Sequence, residues 1–174
     1  MFQYDLSLRK AHKYDLKQLF ELKNEAQHYH HRIAILNETD QADWFESLDK
    51  DVYQPNNLIL IGVDPDCSDE FVSGDVGAFF ITNINYINGT ADIGCDIYRK
   101  HRGKGFGHKL MSSGLNFCKE ILGLRKICCE VLDFNVASQK MCEKAGFVRE
   151  GLKVKQVRRG DQLVDSIIYG LFLR

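Results

Sequence analysis

The chain has 174 residues, 44% of them apolar and 27% charged, and this composition predicts one ordinary globular domain over residues 1–174. Lys and Arg number 23 against 24 Asp and Glu, so the formal charge of −1 excludes the broad positive field of a nucleic-acid or anionic-membrane binder. The sequence has six cysteines, and its start does not show the basic segment followed by an apolar one that is typical of a secretory signal. It therefore predicts reduced thiols and a cytoplasmic protein. The longest apolar runs, 58–63 and 167–173, are far below the ~20 residues that cross a bilayer.

Apolar spacing predicts the elements of the first half of the chain. A strand over Tyr4–Leu8 precedes a helix through Leu16 and Leu22, and residues 28–36 read as a loop. Thr39 or Asp40 can cap a second helix. Three strands then form an antiparallel meander with a turn at Asn88-Gly89; they are Leu58–Val63, Val72–Asn83 and Thr90–Arg99.

The second half adds two helices and three strands. The helices are Phe106–Leu122, which Gly123 ends, and a shorter one from a cap at Asn135 to Lys144. A strand over Lys126–Leu132 lies between them, and two last strands flank the turn at 159–161. The order β-α-α-β-β-β-α-β-α-β-β predicts a mixed α/β (α+β) fold, with helices on the faces of a central mixed sheet.

A glycine-rich loop lies between the third strand of the meander and the next helix. Its residues are Arg102, Gly103, Lys104, Gly105, Phe106 and Gly107. Glycines let backbone amides turn toward a ligand, and a helix N-terminus adds partial positive charge, so the loop predicts a local site for a diphosphate. Nearby cations at 99, 100 and 109 support that prediction. The dinucleotide fingerprint fails because His108 stands where its third glycine belongs, and no P-loop spacing is present.

Three motifs in order resemble the GNAT superfamily of acyl-CoA-dependent N-acetyltransferases. Residues 102–107 match the family's R/Q-x-x-G-x-G/A diphosphate signature, and residues 135–147 are similar to its N-x-x-[AS]-x-x-x-Y-x-x-x-G-F segment. Ala91-Asp92-Ile93-Gly94 looks like the A-E-I-G strand of the branch that includes ribosomal-protein N-terminal acetyltransferases. The motifs cover about residues 90–150, and the order of elements in the whole chain agrees with the family's mostly antiparallel sheet.

The resemblance implies that acetyl-CoA is the acyl donor and that no metal takes part. It implies a diphosphate on the amides of 103–107, next to Arg102, and a pantetheine arm paired with the strand near Ile97. Asn135 matches the family residue that contacts the cofactor arm, although a plain helix cap accounts for it equally.

Transfer of an acetyl group to an amine requires removal of a proton from an ammonium group whose pKa is near ~10.4. Two carboxylates are candidates for this base, and water can bridge either one. Asp92 stands where the resembling branch often has Glu. Glu130 lies in an otherwise apolar strand, where a carboxylate is costly unless it is functional or paired in a salt bridge.

Cys142 stands where the family usually has the Tyr thought to protonate the leaving thiolate. A thiol has a suitable pKa of about 8.5, so Cys142 can act as this acid. Packing in the core is the favoured alternative, because short thiols are commonly buried. A third hypothesis is that a cysteine is acetylated first, in a ping-pong route.

The acceptor is expected to be a primary amine of a small molecule or peptide: a protein N-terminus, a polyamine, an amino sugar or an aminoglycoside. Trp44 would border the acceptor site by resemblance, or face the core. The residues 28–31 (HYHH) read as a polar loop and not as a metal site. A homodimer is allowed, and a catalytically silent acyl-CoA sensor is the competing function, because the Tyr is missing.

Overall fold

The computed structural model describes residues 6–29, 54–67 and 74–173, together with the single positions 39, 43, 45 and 46. Within these ranges the strands are β1 Ser7–Lys10, β2 Leu58–Val63, β3 Asp75–Asn85, β4 Thr90–Ile97, β5 Lys126–Leu132, β6 Val148–Arg159 and β7 Gln162–Phe172. The α-helices are α1 Leu16–Glu25, α2 Phe106–Glu120 and α3 Val136–Lys144. Short 3₁₀ turns occupy Lys13–Asp15, Gln27–Tyr29, Pro65–Cys67 and Arg99–His101.

Most predicted elements agree with these bounds, but four of them end two residues away from the predicted position. β3 ends at Asn85 and not at Asn83, and α2 ends at Glu120 and not at Leu122. The first strand continues to Lys10 and does not end at Leu8, because Ser7–Lys10 pairs antiparallel with β2 from Val63 to Leu60, and residues 4 and 5 of the predicted strand lie outside the described residues. The fourth strand ends at Ile97, because the next residues turn into a 3₁₀ helix. The helix predicted after residue 39 lies mostly outside the described residues, although the four single positions there are helical.

The seven strands form one sheet in the order β1-β2-β3-β4-β5-β7-β6. All neighbours pair antiparallel except β4 and β5, which are parallel. The predicted mixed, mostly antiparallel sheet with flanking helices is therefore confirmed.

Alternation along the strands divides the core between the two faces of the sheet. On one face Phe79 of β3 and Leu110 of α2 are fully buried in a large cluster with Ile127 of β5. On the other face α1 packs through Leu19 and Leu22 against β2 and β3. Each fully buried Leu or Phe side chain contributes about 1.5–3 kcal/mol.

A charged network holds the start of α1 against the sheet. The guanidinium of Arg9 donates to both oxygens of Asp15 at 2.8 Å and to Asp75 of β3 at 2.7 Å. Burial alone would raise the pKa of Asp15, but hydrogen bonds from Arg9 and from the His12 amide hold it below its ordinary value. The network therefore fixes the start of α1, the helix whose last turn carries Lys23 toward the place where β4 meets β5.

The joint between β4 and β5 is short. Only Thr90, Ala91 and Asp92 pair with β5, opposite residues 126–128, in the part of the chain that the structure describes. Beyond these pairs β4 stays paired with β3 as far as Ile97, and β5 stays paired with β7 as far as Leu132. The two strands therefore separate and leave a cleft through the sheet.

No helix among the described residues is long and apolar enough to cross a membrane.

Helix α2 approaches the sheet closely at Gly114. A Cβ atom at this position would lie 2.5 Å from Cε2 of Phe79, whose side chain is fully buried. We expect Gly114→Ala to lower the free energy of unfolding by a net ~1–2 kcal/mol, because overpacking outweighs the gain in helix propensity. Urea unfolding measures the change.

The matched control is Ser112→Ala, on the exposed side of the same helix, which we expect to change stability by less than about 0.5 kcal/mol. Equal stability of the two variants would contradict the close approach.

Candidate active site

The glycine-rich loop enters α2 through two residues with left-handed backbone. Gly103 has φ +75° and Gly105, the N-cap of α2, has φ +87°. Neither glycine has an atom within 4 Å of where a Cβ would stand, so glycine is required by backbone conformation and the space before the loop is open. The amides of the first helical turn have no intrahelical acceptor, so this open side presents donors and partial positive charge.

Gly107 is constrained by packing instead. A Cβ there would lie 3.3 Å from Sδ of Met141 on α3. Phe106 is buried, and its ring lies edge-on to His101, with 5.3 Å between the ring centroids. Burial lowers the pKa of His101, and Lys100 and Lys104 lower it further, so a neutral imidazole lies beneath the loop.

The Arg102 side chain connects the loop to the end of β4. Its Nε donates to the carbonyl oxygen of Ile97 at 2.9 Å, and its Nη2 lies 3.5 Å from Oε2 of Glu25 at the end of α1. The Ile97 carbonyl therefore already has a partner. The residues of β4 that line the cleft are Ile93 to Asp96, so Ile97 stays a prediction as a cofactor contact.

The cleft between β4 and β5 has a volume of about 420 Å³. On the side of α2 and α3 it is lined by Cys95, Cys129, Asn135 and Cys142. The Cys95 thiol lies 4.0 Å from the Gly107 carbonyl oxygen, which places it against the loop, and burial raises its pKa. This side of the cleft is mostly apolar and carries protonated thiols.

Two of these thiols touch each other. Sγ of Cys129 on β5 lies 3.4 Å from Sγ of Cys142 on α3, and both side chains are buried. The hydrogen bond, together with burial, raises the pKa of Cys129. The same bond lowers the pKa of Cys142, because the Cys129 thiol can donate to a Cys142 thiolate. Of the pair, Cys142 is therefore the more acidic thiol.

Asn135 begins α3 beside this pair. Its Oδ1 accepts a hydrogen bond from the Ser138 amide at 3.2 Å, so the expected helix cap is present. Asn135 also lines the cleft. Because the oxygen caps the helix, its Nδ2 is the group with which it can donate to a ligand.

On the side of α1 the cleft is lined by charged and aromatic groups. Lys23 and Tyr29 come from the first helical segment, Asp96 from β4 and Glu130 from β5. Burial lowers the pKa of Lys23 to about 8, while the nearby Asp96 carboxylate opposes that shift. Asp96 follows Cys95 on β4, and Glu130 follows Cys129 on β5. Because successive side chains of a strand point to opposite faces of the sheet, both carboxylates lie on this side of the cleft and both thiols on the other.

The two predicted bases have different surroundings. Glu130 lines the cleft, and its Oε2 forms a 2.7 Å salt bridge with Lys153 of β6. Asp92 is exposed, accepts a 2.8 Å hydrogen bond from Asn83, and is not among the residues that line the cleft. The reason is the parallel register, which pairs Asp92 with β5 at the closed end of the joint.

Tyr29 lines the same side of the cleft and belongs to a cluster of three rings. The His28 ring lies 5.1 Å from Tyr29 and 4.9 Å from Phe134, in the segment between β5 and α3. These three rings, the aromatic cluster, join α1 to the opposite edge of the cleft. Trp44, predicted to border the acceptor, lies outside the described residues.

Sequence reasoning missed Lys23, Asp96 and the contact of Cys129 with Cys142. A period-two reading of β4 could have placed Asp96 on the face of Asp92, but nothing local to α1 shows that Lys23 reaches that face. The predicted residues that do meet are Asn135, Glu130 and Cys142, all of which line the cleft. The cleft itself combines thiols with two carboxylates, and the glycine-rich loop lies next to it through the 4.0 Å approach of Cys95 to the Gly107 carbonyl oxygen.

Comparisons with known proteins agree with this geometry. A family model described as an acetyltransferase (GNAT) domain matches residues 5–148. The spermidine N(1)-acetyltransferase of Vibrio cholerae is 28% identical over 156 residues, which cover 87% of this chain and 83% of that protein. A crystal structure of spermidine N-acetyltransferase from Vibrio cholerae with CoA and spermine has a TM-score of 0.86 at 22% identity, covering 98% and 96% of the two chains. A dodecameric structure of that enzyme gives 0.78 at 23% identity, covering 98% and 95%.

These comparisons correct one expectation from the sequence. They support the superfamily, but the relatives are spermidine acetyltransferases and do not single out the ribosomal-protein N-terminal acetyltransferase branch that residues 91–94 suggested. Those four residues are paired with the neighbouring strands in the middle of the sheet, so their pattern indicates the fold and does not identify the acceptor. The family model covers most of the chain, and the loop and the sheet agree with it: this chain belongs to the acetyltransferase (GNAT) domain family and is an N-acetyltransferase.

Proposed function

We propose that this enzyme transfers the acetyl group of acetyl-CoA directly to a primary amine of a polyamine, within a complex that holds both substrates. One observation carries the proposal: one side of the cleft between β4 and β5 adjoins the loop, because Cys95 lines it and lies 4.0 Å from the Gly107 carbonyl oxygen, and the other side has two carboxylates with aromatic rings. Each substrate then has its own side of the sheet, and the reacting groups meet in the gap.

The residues on the side of α2 fit an acyl-CoA. Open space before Gly103 and Gly105 accommodates a diphosphate on backbone amides. The backbone of β4 past Asp92 has no strand of β5 beside it among the described pairs, so its polar groups can bond the amides of an extended ligand. The donor supplies an activated thioester, and Asn135 together with the β4 backbone orients it.

A substitution in the loop tests the donor site. We expect Gly105→Glu to weaken acetyl-CoA binding at least about tenfold, because it strains a left-handed position and adds an anion where the diphosphate binds. Isothermal titration calorimetry and the rise in melting temperature with acetyl-CoA are the readouts.

The control is Gly160→Glu, at φ +57° in the open turn between β6 and β7. It imposes the same backbone strain and the same charge away from the cleft, so binding should stay as in the wild type. Equal loss in both variants, or no binding by the wild type, would contradict the assignment.

A polyamine fits the side of α1. Asp96 and Glu130 attract ammonium groups, and aromatic faces such as that of Tyr29 bind cations. One of the matched relatives is a spermidine acetyltransferase by name, which supports the same class of acceptor. The other three acceptor classes lack this support.

A turnover assay over spermidine, an aminoglycoside, an amino sugar and an N-terminal peptide tests the acceptor. We expect spermidine to give the highest kcat/KM. We expect Asp96→Asn to raise the KM for spermidine about tenfold and leave acetyl-CoA binding unchanged, because one charge-assisted hydrogen bond is lost. Exposed Asp66→Asn is the control, and preference for another acceptor class would contradict the proposal.

The proposed base is Glu130, directly or through water, because it lines the cleft whereas Asp92 does not. We expect Glu130→Gln to lower kcat by about 10²–10⁴, the usual contribution of a general base, and Asp92→Asn to stay near wild type. Lys153→Met removes the salt bridge but keeps the carboxylate. If Lys153→Met loses as much activity as Glu130→Gln, the pair is structural and the role of Glu130 is wrong.

The proposed acid is Cys142. Its pKa is lowered by Cys129, and it lines the cleft on the side of the thioester. A thiol there can return a proton to the departing thiolate. Direct transfer is proposed over a ping-pong route because both substrate sides open into one cleft.

The proposed assembly is larger than the homodimer that the sequence allows. A relative is dodecameric, and the outer strand β6 exposes Val148, Leu152 and Val154. Strands with exposed apolar edges usually pair or are covered.

A further inference from the structure

Among the residues that the structure describes, Lys23 is the one lysine that lines the cleft. It lies in the last turn of α1, and its side chain is half-buried beside Asp96. In the proposed function this side of the cleft receives the primary amine of the acceptor. The protein therefore holds an amine of its own in the space where an acceptor amine is expected.

The position also favours reactivity. Only a neutral amine attacks a thioester, and burial lowers the pKa of Lys23 to about 8. At pH 8 about half of Lys23 is then neutral, whereas an exposed lysine with a pKa near ~10.4 is neutral in roughly 0.4% of molecules. Proximity adds to this advantage, because a group held in the cleft reacts in an intramolecular step.

We propose that Lys23 is a self-acetylation site, modified by the acetyl-CoA bound to the same chain when no acceptor is present. The inference rests on the proposed function. The Nζ lone pair attacks the thioester carbonyl carbon, an amide C–N bond forms and the C–S bond breaks. The proton that Nζ loses is balanced by the one the CoA thiolate gains, so the products are acetyl-lysine and CoA thiol.

Two other lysines of the sheet form salt bridges with glutamates. Lys153 is paired with Glu130 at 2.7 Å, and Lys126 is paired with Glu150 at 2.8 Å. The Glu150 hydrogen bond raises the pKa of Lys126, which keeps that amine protonated. Acetylation of Lys23 would leave a neutral amide beside Asp96 and remove one positive charge from the side that binds the acceptor.

The experiment is incubation of the full chain with acetyl-CoA at pH 8 without acceptor, followed by intact-mass measurement and peptide mapping. We expect one acetyl group on Lys23, acquired at least about tenfold faster than acetylation of exposed Lys17 on the same helix. The first-order rate constant should not change with protein concentration, and spermidine should slow the reaction by competing for the cleft. Hydroxylamine removes thioesters but not amides, so it separates this product from acetylation of Cys142.

Three variants control the result. Lys23→Arg should abolish the modification, Lys17→Arg should leave it unchanged, and Gly105→Glu should slow it with the loss of donor binding. Labelling of Lys23 and Lys17 at equal rates, or a rate that rises with protein concentration, would overturn the inference. Normal turnover of an amine with unmodified Lys23 overturns it and leaves the proposed function standing, whereas absence of both turnover and labelling overturns both.

Discussion

The short joint between β4 and β5 is the constraint on which the rest of the site depends. Parallel pairing at three positions keeps the sheet continuous, while β3 and β7 hold the two strands extended after they separate. Backbone groups along the gap need partners, and an extended ligand can supply them. The gap is thus a consequence of strand pairing and needs no flexible element among the described residues.

The pleat of those two strands then gives the cleft two chemically different sides. Successive side chains point to opposite faces, so Cys95 and Cys129 face α2 and α3 while Asp96 and Glu130 face α1. One side is mostly apolar and carries thiols, and the glycine-rich loop adjoins it at Cys95. The other carries carboxylates, aromatic rings and a lysine. Strand alternation alone therefore separates the proposed donor and acceptor.

Burial shifts the pKa values of the groups in the gap more than the net charge of the chain does. The chain is close to neutral, yet burial lowers the pKa of Lys23 and raises the pKa of Cys95 within one cleft. The contact of Cys129 with Cys142 adds a separate local effect, because the hydrogen bond between them raises the pKa of Cys129 and lowers the pKa of Cys142. Desolvation disfavours the charged form of each group, so burial favours a neutral, nucleophilic amine at Lys23 and a neutral, less nucleophilic thiol at Cys95.

Patterns local in the chain determined most of the fold and the donor loop. Residues 58–63, 126–132 and 136–144 have the predicted bounds, because spacing, caps and glycine stops act between near neighbours. The positive φ of Gly103 and Gly105 agrees with the loop read from sequence. The tertiary structure alone decided which carboxylate lines the cleft: Asp92 and Glu130 were equal candidates until the register put Asp92 at the closed end. It also brought Lys23 to Asp96 and Cys129 to Cys142, since packing between distant segments leaves no signal in local periodicity.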